Sequence, residues 1–213
     1  MGRFITFEGV EGSGKTTQVR MAKGYLEAEG IPLVATDEPG GTPLGKIIRK
    51  MLLNVGPYAI FPHAELLLFI AARAQHVQEV IRPALQQGKL VLCDRFLDAT
   101  LAYQGWGRGL DRVFIETLHD FATNSLKPHL TILLDLPAEK GLQRALERIA
   151  QRRGGSPEDR FERENLAFHQ RIRDGYLALA SKEPARYRII DASREMAVVH
   201  RDVCSALAAF ISS

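Results

Sequence analysis

A glycine-rich segment near the start of the chain places the strongest limit on how this protein can fold. Residues 9–16 have the sequence Gly-Val-Glu-Gly-Ser-Gly-Lys-Thr, which matches the pattern G-x-x-x-x-G-K-[ST]. The apolar run Phe4–Glu8 precedes this segment, and apolar residues at helical spacing follow it in Thr16–Glu29. Between a strand and a helix, the pattern predicts a loop whose backbone N–H groups surround phosphate. We therefore expect a P-loop that binds a nucleoside triphosphate.

Strand and helix patterns alternate along the rest of the chain. Further apolar, β-rich runs lie at Leu33–Thr36, Leu90–Asp94, Thr131–Leu136 and Tyr187–Asp191. Helical spacing recurs in Ala64–Gln87, Asp111–Thr123, Ala138–Arg153, Asp159–Leu179 and Met196–Ile211. Pro83 should kink or divide the first of these helices. Because parallel strands need crossovers, this order predicts a three-layer α/β P-loop NTPase fold: a five-stranded parallel sheet with helices on both faces.

Composition limits the possible partners and compartment. The 213 residues are 46% hydrophobic, which suits one domain over residues 1–213. The 28 Lys and Arg residues nearly balance the 25 Asp and Glu residues, so the broad positive field used for nucleic acid is missing. The longest apolar run, Leu66–Ala72, is shorter than the roughly 20 residues that span a bilayer. Cys93 and Cys204 form no metal-binding or disulfide pattern, which favours the reducing cytoplasm. From charge, apolar runs and cysteines together, we expect a cytoplasmic protein without nucleic-acid or membrane partners.

The P-loop pattern also assigns chemistry to single residues. Lys15 should reach the β- and γ-phosphates of ATP, and the Thr16 hydroxyl should ligate Mg²⁺, which prefers oxygen ligands. The predicted ATP-binding residues are Gly9, Val10, Glu11, Gly12, Ser13, Gly14, Lys15, Thr16 and Thr17. An Asn-Lys-x-Asp motif for guanine does not occur in the sequence, which disfavours a GTPase. A switch or binding module driven by a nucleoside triphosphate stays open as an alternative to a kinase.

Four motifs in order along the chain carry a resemblance to a known family. They are Phe-Glu-Gly-Val-Glu-Gly at 7–12, Glu-Pro-Gly-Gly-Thr at 38–42, Asp-Arg-Phe at 94–96 and Ala-Tyr-Gln-Gly at 102–105. In these motifs, and over essentially its whole length, the chain resembles the thymidylate kinase family. The resemblance implies ATP-dependent phosphorylation of dTMP to dTDP by direct in-line transfer, a step in dTTP biosynthesis. It also implies a homodimer, while a kinase for another pyrimidine monophosphate stays open.

The resemblance implies roles for residues that would bind the phosphate of the acceptor. Arg95 would bind the 5′-phosphate of dTMP, a role that suits the fork of donors on a guanidinium group. Asp94 would lie near the metal, and Arg49 would be a second phosphate-binding arginine. On their own, Asp94 and Arg95 would be interpreted as an ion pair at the sheet edge, and a solvated helix face explains Arg49 nearly as well as a phosphate contact does.

The resemblance also implies a pocket for the base and sugar. Phe69 would stack on thymine, and Arg73, four residues later on the same helix face, would donate to its O4 and reject cytosine. Without the resemblance, Phe69 suits a core and Arg73 a surface. Thr100 would bind thymine N3, and Gln104 would line the same pocket. Tyr103 would lie against the sugar 2′ carbon, and Glu11 would face the 3′-hydroxyl and the phosphate.

Arginines flank the short break Gly-Gly-Ser-Pro at 154–157. Such a run is usually a solvated face, but phosphoryl transfer requires a cover that excludes water and supplies positive charge. We therefore expect a small lid at about 147–160, with Arg148 and Arg153 as its catalytic residues among four candidates that also include Arg152 and Arg160. Gly12 stands where one subgroup of the family has arginine, which indicates the bacterial type.

Weaker similarities and departures complete the comparison with the family pattern. Arg144 and the turn at 191–193 resemble its adenine-binding elements. Asp37 stands where the family often has arginine, and Ala99 where it often has serine.

Overall fold

The computed structural model describes residues 2–54, 58–151 and 159–212. Its sheet has five parallel strands in the order β2-β3-β1-β4-β5. The strands are β1 (Phe4–Glu8), β2 (Leu33–Asp37), β3 (Leu90–Asp94), β4 (Leu130–Asp135) and β5 (Tyr187–Asp191). The predicted α/β architecture is confirmed. The bounds of the strands differ from prediction only at the end of β2 and at both ends of β4, by one residue each.

The central strand β1 shows that both faces of the sheet are covered. All five of its residues are buried, although successive side chains of a strand point to opposite faces. A strand buried on both faces is mainly apolar rather than alternating, and the buried hydroxyl of Thr6 is paired with that of Thr131 at 3.0 Å. Phe7 pairs with Asp94 of β3 and Ile132 of β4, so the carboxyl ends of these strands lie at one edge of the sheet. In open α/β sheets ligands bind at this edge.

Nine helices surround the sheet in the described ranges. They are α1 (Lys15–Ala28), α2 (Pro43–Leu53), α3 (Pro62–His76), α4 (Arg82–Gln86), α5 (Leu97–Thr100), α6 (Arg112–Thr123), α7 (Ala138–Gln151), α8 (Leu166–Lys182) and α9 (Met196–Ser212). Two π-helical segments continue α3 and α5, over Val77–Ile81 and Leu101–Gly107. None of the helices in these ranges is long and apolar enough to cross a membrane.

Pro83 divides the long helical segment, as the sequence predicts. The π-helical turns at Val77–Ile81 come directly before it, and Pro83 lies in the first turn of α4. In these π-helical turns the Arg82 N–H donates to Val77 O, five residues back, instead of four. This wider spacing reduces the clash that a proline ring has with the carbonyl group four residues before it in an α-helix.

The helix predicted at Asp159–Leu179 is wrong at its start. Residues 160–164 form turns and bends, and α8 begins at Leu166. Asn165 caps this helix, because its side chain accepts a hydrogen bond from the Phe168 N–H at 2.9 Å. The predicted helix end at Arg153, and the part of the predicted lid at 152–158, lie outside the described residues.

The pattern of apolar spacing did not predict two helical segments. The first, α2, was expected only as the helix that carries Arg49, and Thr42 caps it by accepting from Gly45 N at 2.9 Å. The second runs from α5 through Leu101–Gly107 and contains Gly105 and Gly107. Two glycines weaken its helical pattern, so its helical form depends on packing against α8.

Candidate active site

A cavity of about 710 Å³ opens at the carboxyl edge of the sheet, where the P-loop leaves β1. This volume is in the range of sites that enclose small molecules. The predicted site residues that line it are Glu11, Gly12, Gly14, Lys15, Thr16, Thr17, Arg49, Phe69, Arg73, Asp94, Arg95, Thr100, Tyr103, Gln104 and Arg148. The structure thus brings residues from the P-loop, from α2, α3 and α7, and from the segment after β3 to one space.

The P-loop adopts backbone conformations that require glycine. Gly12 has φ +70° and Gly14 has φ +88°, both in the left-handed region. A Cβ atom at Gly12 would lie 2.1 Å from the carbonyl oxygen of Gly141 in α7. Position 12 therefore has no room for the arginine of the other subgroup, and any catalytic arginine must come from another part of the chain.

Lys15 lies buried inside the P-loop. Its Nζ donates to the carbonyl oxygens of Gly9 at 2.9 Å and Val10 at 2.7 Å, and to the Ser13 hydroxyl at 3.3 Å. Burial, together with the charge of Arg95, lowers the pKa of Lys15 to about 8. These contacts hold the ammonium group at the loop, and a rotation of the side chain would direct it at a phosphate.

Two oxygen ligands of the type that Mg²⁺ prefers lie beside the P-loop. The Thr16 hydroxyl donates to Asp94 Oδ2 at 2.6 Å. Mg²⁺ commonly takes one or two protein oxygens, with phosphates and water completing its shell. The donor set at Thr16 and Asp94 therefore fits the predicted metal.

Asp37 ends β2 beside Asp94, its register partner on β3. Its carboxylate forms an ion pair with Arg49 Nη1 at 3.3 Å, and Arg49 also donates to Pro39 O at 3.0 Å. Burial raises the pKa of Asp37 against the opposing charge of Arg49. The departure from the family pattern at position 37 thus places a carboxylate against the predicted second phosphate-binding arginine.

Arg95 and Glu11 form an ion pair in the middle of the cavity. Arg95 Nη2 lies 3.0 Å from Glu11 Oε1, which also accepts a hydrogen bond from the Tyr103 hydroxyl. His169 Nδ1 lies 3.4 Å from Glu11 Oε2. Burial alone would raise the pKa of Glu11, but His169 and the charges of Arg95 and Lys15 outweigh it and hold the pKa far below its usual range. Glu11 is therefore a carboxylate at any pH near neutral.

Arg95 has an unusual backbone conformation, with φ +72°. Few residues other than glycine adopt this region, and such strain is concentrated at functional sites. The guanidinium carbon lies 4.7 Å from the centre of the Tyr103 ring. Its Nη1 donates to the Tyr176 hydroxyl at 3.3 Å, so the side chain is held from three sides.

A buried carboxylate that the sequence did not indicate, Glu8, is linked to Arg95 through Tyr176. Tyr176 donates to Glu8 Oε2 at 2.8 Å, and the Phe96 N–H donates to Glu8 Oε1 at 2.7 Å. Burial, with a smaller contribution from Asp98, raises the pKa of Glu8 from 4.5 to about 7 despite the opposing charge of Arg95. The only sequence signal for this role is an acidic residue that closes an apolar strand.

The raised pKa of Glu8 predicts how stability depends on pH. Because the folded protein favours protonated Glu8, its stabilising effect is complete below about pH 4.5 and is lost as the pH rises through about 7. Glu8→Gln, which imitates the protonated side chain, should remove on the order of 2 kcal/mol of this pH dependence. Urea unfolding at pH 5, 6, 7 and 8 measures the effect. Equal slopes for the variant and the wild type would contradict the assignment.

The other end of the cavity presents a fixed guanidinium group. Arg73 is buried, and its Nε donates to Glu38 Oε2 at 2.8 Å. Its Nη2 donates to Phe96 O at 2.9 Å and Thr100 Oγ1 at 2.8 Å. In the described part of the chain, Nη1 has no hydrogen-bond partner. A buried donor without a partner is costly, so Nη1 is well suited to a carbonyl oxygen of a ligand.

Glu38 fixes Arg73 and is itself fixed by a histidine. His76 Nδ1 lies 2.8 Å from Glu38 Oε1, and both side chains are buried. Burial alone would raise the pKa of Glu38, but Arg73 and His76 lower it overall. The Glu-Pro-Gly-Gly-Thr motif thus supplies the carboxylate that orients Arg73, a role the sequence did not indicate.

Aromatic rings line the same end of the cavity. The centroids of Phe69 and Phe161 are 6.4 Å apart, and those of Tyr103 and Phe161 are 5.4 Å apart with nearly perpendicular planes. Phe161 was not predicted as a site residue, because the sequence placed it inside a regular helix. It lies instead in the turns before α8, where it extends the apolar wall formed by Phe69.

The arginines near the predicted lid have different positions. Arg148 lines the cavity, is about half exposed, and lies 3.3 Å from Glu162. Arg160 lies 2.7 Å from the buried carboxylate of Glu65, and its backbone N–H donates to Leu53 O at 3.3 Å. Arg152 and Arg153 lie outside the described residues. Arg148 is thus at the cavity, whereas Arg160 is engaged with Glu65.

A smaller cavity of about 200 Å³ lies on the other side of the P-loop. Ser13, Gly14, Thr17 and Arg144 line it together with residues after β5. Arg144 Nη1 donates to Ala192 O at 3.0 Å. The structure thus brings Arg144 and the turn at 191–193, the predicted adenine-binding elements, together beside the P-loop, which is predicted to bind the phosphates of ATP.

Comparisons with known proteins agree with this geometry. The family model "Thymidylate kinase" matches residues 7–203. The chain is 57% identical to the thymidylate kinase of Syntrophus aciditrophicus, over 96% of the chain and 93% of that protein, and 52% identical to that of Trichlorobacter lovleyi, over 96% of each. The crystal structure of thymidylate kinase from Ehrlichia chaffeensis matches with a TM-score of 0.75 and 35% identity, over 97% of this chain and 98% of that one. The chain belongs to the thymidylate kinase family.

Proposed function

We propose that this protein is a nucleoside monophosphate kinase that transfers the γ-phosphoryl group of ATP to dTMP and forms dTDP, a step in dTTP synthesis. One observation carries the proposal: the P-loop lines the same cavity as the buried arginine Arg73, whose Nη1 has no hydrogen-bond partner among the described residues. That cavity can therefore hold a triphosphate at one end and a base with a carbonyl group at the other.

Recognition of thymine rests on the rigid end of the cavity. Phe69 stacks on the base, and Arg73 Nη1 donates to O4. The side chains of Thr100, Tyr103 and Gln104 enclose the remaining edges and the sugar. Cytosine carries an amino group in place of O4, so a donor would meet a donor and both would lose hydrogen bonds to water. The contacts of Arg73 with Glu38, Phe96 and Thr100 support this role, because they prevent the guanidinium group from moving aside.

Phosphoryl transfer requires alignment and positive charge rather than a covalent intermediate. The acceptor phosphate of dTMP is already ionised and attacks the γ-phosphorus in line. Arg95, held by Glu11 and Tyr176, binds that phosphate, with Arg49 as a second contact, while Lys15 binds the β- and γ-phosphates of ATP. Positioned charges of this kind stabilise a loose transition state without reorganisation.

Mg²⁺ and a lid complete the proposed site. Thr16 and Asp94 would hold the metal, which neutralises charge on the phosphates when it is bound. Arg148 and Arg153 supply further positive charge from a lid at about 147–160, which belongs to the same single domain. The location of Arg148 at the cavity supports this assignment, and Arg144 with the turn at 191–193 would contact the adenine ring.

We also propose that the protein forms a homodimer through the layer of α2, α3 and α6. Helix α3 packs between α2 and α6, and the three helices expose large apolar side chains that a monomer would leave in water. The exposed residues are Leu44, Ile47 and Met51 of α2, Leu67 of α3, and Val113, Phe114 and Phe121 of α6.

A cytoplasmic location is proposed as well, since both thiols, Cys93 and Cys204, are free.

Phe121 tests the dimer, because 85% of its surface is exposed in the isolated chain. Phe121→Glu would bury a charge in the interface and should convert the dimer to a monomer, halving the mass measured by light scattering. Leu166→Glu, at the start of α8 and outside the layer, is the matched control and should remain dimeric. A dimer for Phe121→Glu would exclude this face.

A panel of acceptors tests the proposed function. With ATP and Mg²⁺, dTMP should have a kcat/KM at least about 100-fold above that of dCMP, since a mismatched polar group in a buried pocket costs at least this much. It should also exceed that of UMP by a wide margin, because the ribose 2′-hydroxyl of UMP would meet Tyr103. Chromatography should identify dTDP as the product. Equal use of dCMP would favour a different pyrimidine kinase, and ATP hydrolysis without a phosphorylated nucleotide would favour a switch.

A further inference from the structure

Glu65 of α3 is a buried carboxylate that the proposed reaction does not use. It has no exposed surface. Arg160 Nη2 lies 2.7 Å from its Oε2, and Arg108 Nη2 lies 3.3 Å from the same oxygen. These two arginines supply the positive charge that a buried carboxylate requires.

The fourth member of this cluster belongs to the base pocket. Gln104 Nε2 donates to Glu65 Oε1 at 2.8 Å, and Gln104 lines the large cavity. An ionised carboxylate only accepts hydrogen bonds. The amide group of Gln104 must therefore turn its NH₂ toward Glu65, because the opposite orientation would place a carbonyl oxygen against a carboxylate oxygen.

This orientation decides which atom of the amide remains for a ligand. Within the described part of the chain, the side-chain carbonyl oxygen of Gln104, Oε1, accepts no hydrogen bond, whereas its backbone oxygen accepts from the Leu110 N–H at 3.0 Å. Gln104 is almost fully buried but lines the large cavity, so a ligand bound in that cavity is the partner available to Oε1. We propose that Glu65 is a positioning residue for base selection: it locks the Gln104 amide so that the pocket presents a hydrogen-bond acceptor to the base. This inference rests on the proposed function and concerns the same site.

The locked amide complements the fixed guanidinium group across the pocket. Arg73 offers a donor, and Gln104 offers an acceptor. Thymine presents the matching pair, a carbonyl oxygen at O4 and a donor at N3–H, whereas cytosine presents a donor at its amino group and an acceptor at N3. Gln104 would meet N3 beside Thr100, the predicted N3 contact, whose hydroxyl oxygen already accepts from Arg73 Nη2 at 2.8 Å. A flipped amide would present its NH₂ group to N3 of cytosine and form a hydrogen bond there. Fixing the amide at Glu65 therefore disfavours cytosine as well as favouring thymine.

The test compares two acceptors that differ only in this hydrogen-bond pattern. They are dTMP and 5-methyl-dCMP, which share the methyl group, the sugar and the phosphate. Glu65→Gln keeps the size of the side chain but can face Gln104 with either an NH₂ or a carbonyl group, so the amide is no longer locked. We expect the ratio of kcat/KM for dTMP to that for 5-methyl-dCMP to fall about tenfold, because the variant weakens discrimination only at the Gln104 contact while Arg73 keeps its own.

Matched variants separate selection from a general loss of structure. Glu164→Gln removes another carboxylate from Arg108, 2.6 Å away, without touching Gln104, and should leave the ratio unchanged. Gln104→Met should lower the ratio, and Glu65→Gln should add nothing further in the Gln104→Met background. If Glu65→Gln does not fold, Glu65→Asp keeps the charge beside the arginines but withdraws the carboxylate from Gln104, and the same fall is expected.

The outcomes distinguish this inference from the proposed function. A wild-type enzyme that fails to phosphorylate dTMP would overturn the proposed function itself. A wild-type enzyme that prefers dTMP, with a folded position-65 variant that loses activity equally toward both acceptors, would overturn the role of Glu65 alone. A fall in the ratio that persists in the Gln104→Met background would also contradict it, because the effect would not pass through the amide.

Discussion

Lys15→Ala is expected to lower kcat by about 10²- to 10³-fold, the usual cost of removing one donor that stabilises charge in a transition state. The protein should stay folded, because the lysine is buried at a cost that already lowers its pKa to about 8. Its three contacts lie within the P-loop, so their loss does not separate elements of the fold. Steady-state kinetics with saturating ATP and dTMP measures kcat, and circular dichroism checks folding.

A lysine outside the cavity provides the control for this change. Lys182 at the end of α8 is exposed, and Lys182→Ala should keep kcat within about twofold of the wild type. A folded Lys15→Ala enzyme with near-normal turnover would show that the P-loop does not act on the transferred phosphoryl group.

Arg95→Ala is expected to lower kcat/KM for dTMP by about 10³-fold, equivalent to about 4 kcal/mol. Arg95 is the cation that Glu11 and Tyr176 hold in the middle of the cavity, and its removal leaves Glu11 without its ion pair. Arg95→Lys should recover only part of the loss, because an ammonium group cannot form two parallel hydrogen bonds with phosphate.

The binding of ATP separates an acceptor role from a general defect in Arg95→Ala. The dissociation constant of a non-hydrolysable ATP analogue should change by less than about threefold, since the P-loop and Arg144 remain intact. Equal losses of ATP and dTMP affinity, or a kcat/KM within tenfold of the wild type, would contradict the assignment of Arg95 to the acceptor phosphate.

Local patterns in the sequence were sufficient for the sheet and the phosphate-binding loop. The P-loop is defined by residues next to each other in the chain, and buried parallel strands such as β1 and β3 are short, mainly apolar runs that each end in an acidic residue. The start of α8 was misplaced because the apolar spacing before Asn165 resembles that of a helix, whereas the cap at Asn165 fixes the true boundary.

The support of the site could not be predicted in the same way. Glu8 and Tyr176 are 168 positions apart, and nothing in either local sequence indicates that they meet behind Arg95. Phe161 and His169 look like core residues of a helix. Their contacts with Tyr103 and Glu11 come from the folding of the segment before α8 and of α8 itself onto the cavity.

Arg73 shows how a resemblance can correct an expectation drawn from residue type. Arginine is seldom fully buried, so the sequence alone favours a surface position. The structure buries it, since Glu38 supplies a carboxylate from 35 positions away and Thr100 and Phe96 accept its other hydrogen bonds.

The central claim is that a single cavity joins ATP to dTMP. A compound in which adenosine and thymidine are linked through their 5′-oxygens by five phosphates tests it in one calorimetric titration. The account predicts one molecule bound per chain, with an affinity that falls when either ATP or dTMP is present at saturation. A compound that competes with ATP but binds equally well in saturating dTMP would show that the acceptor lies elsewhere, and would contradict the account.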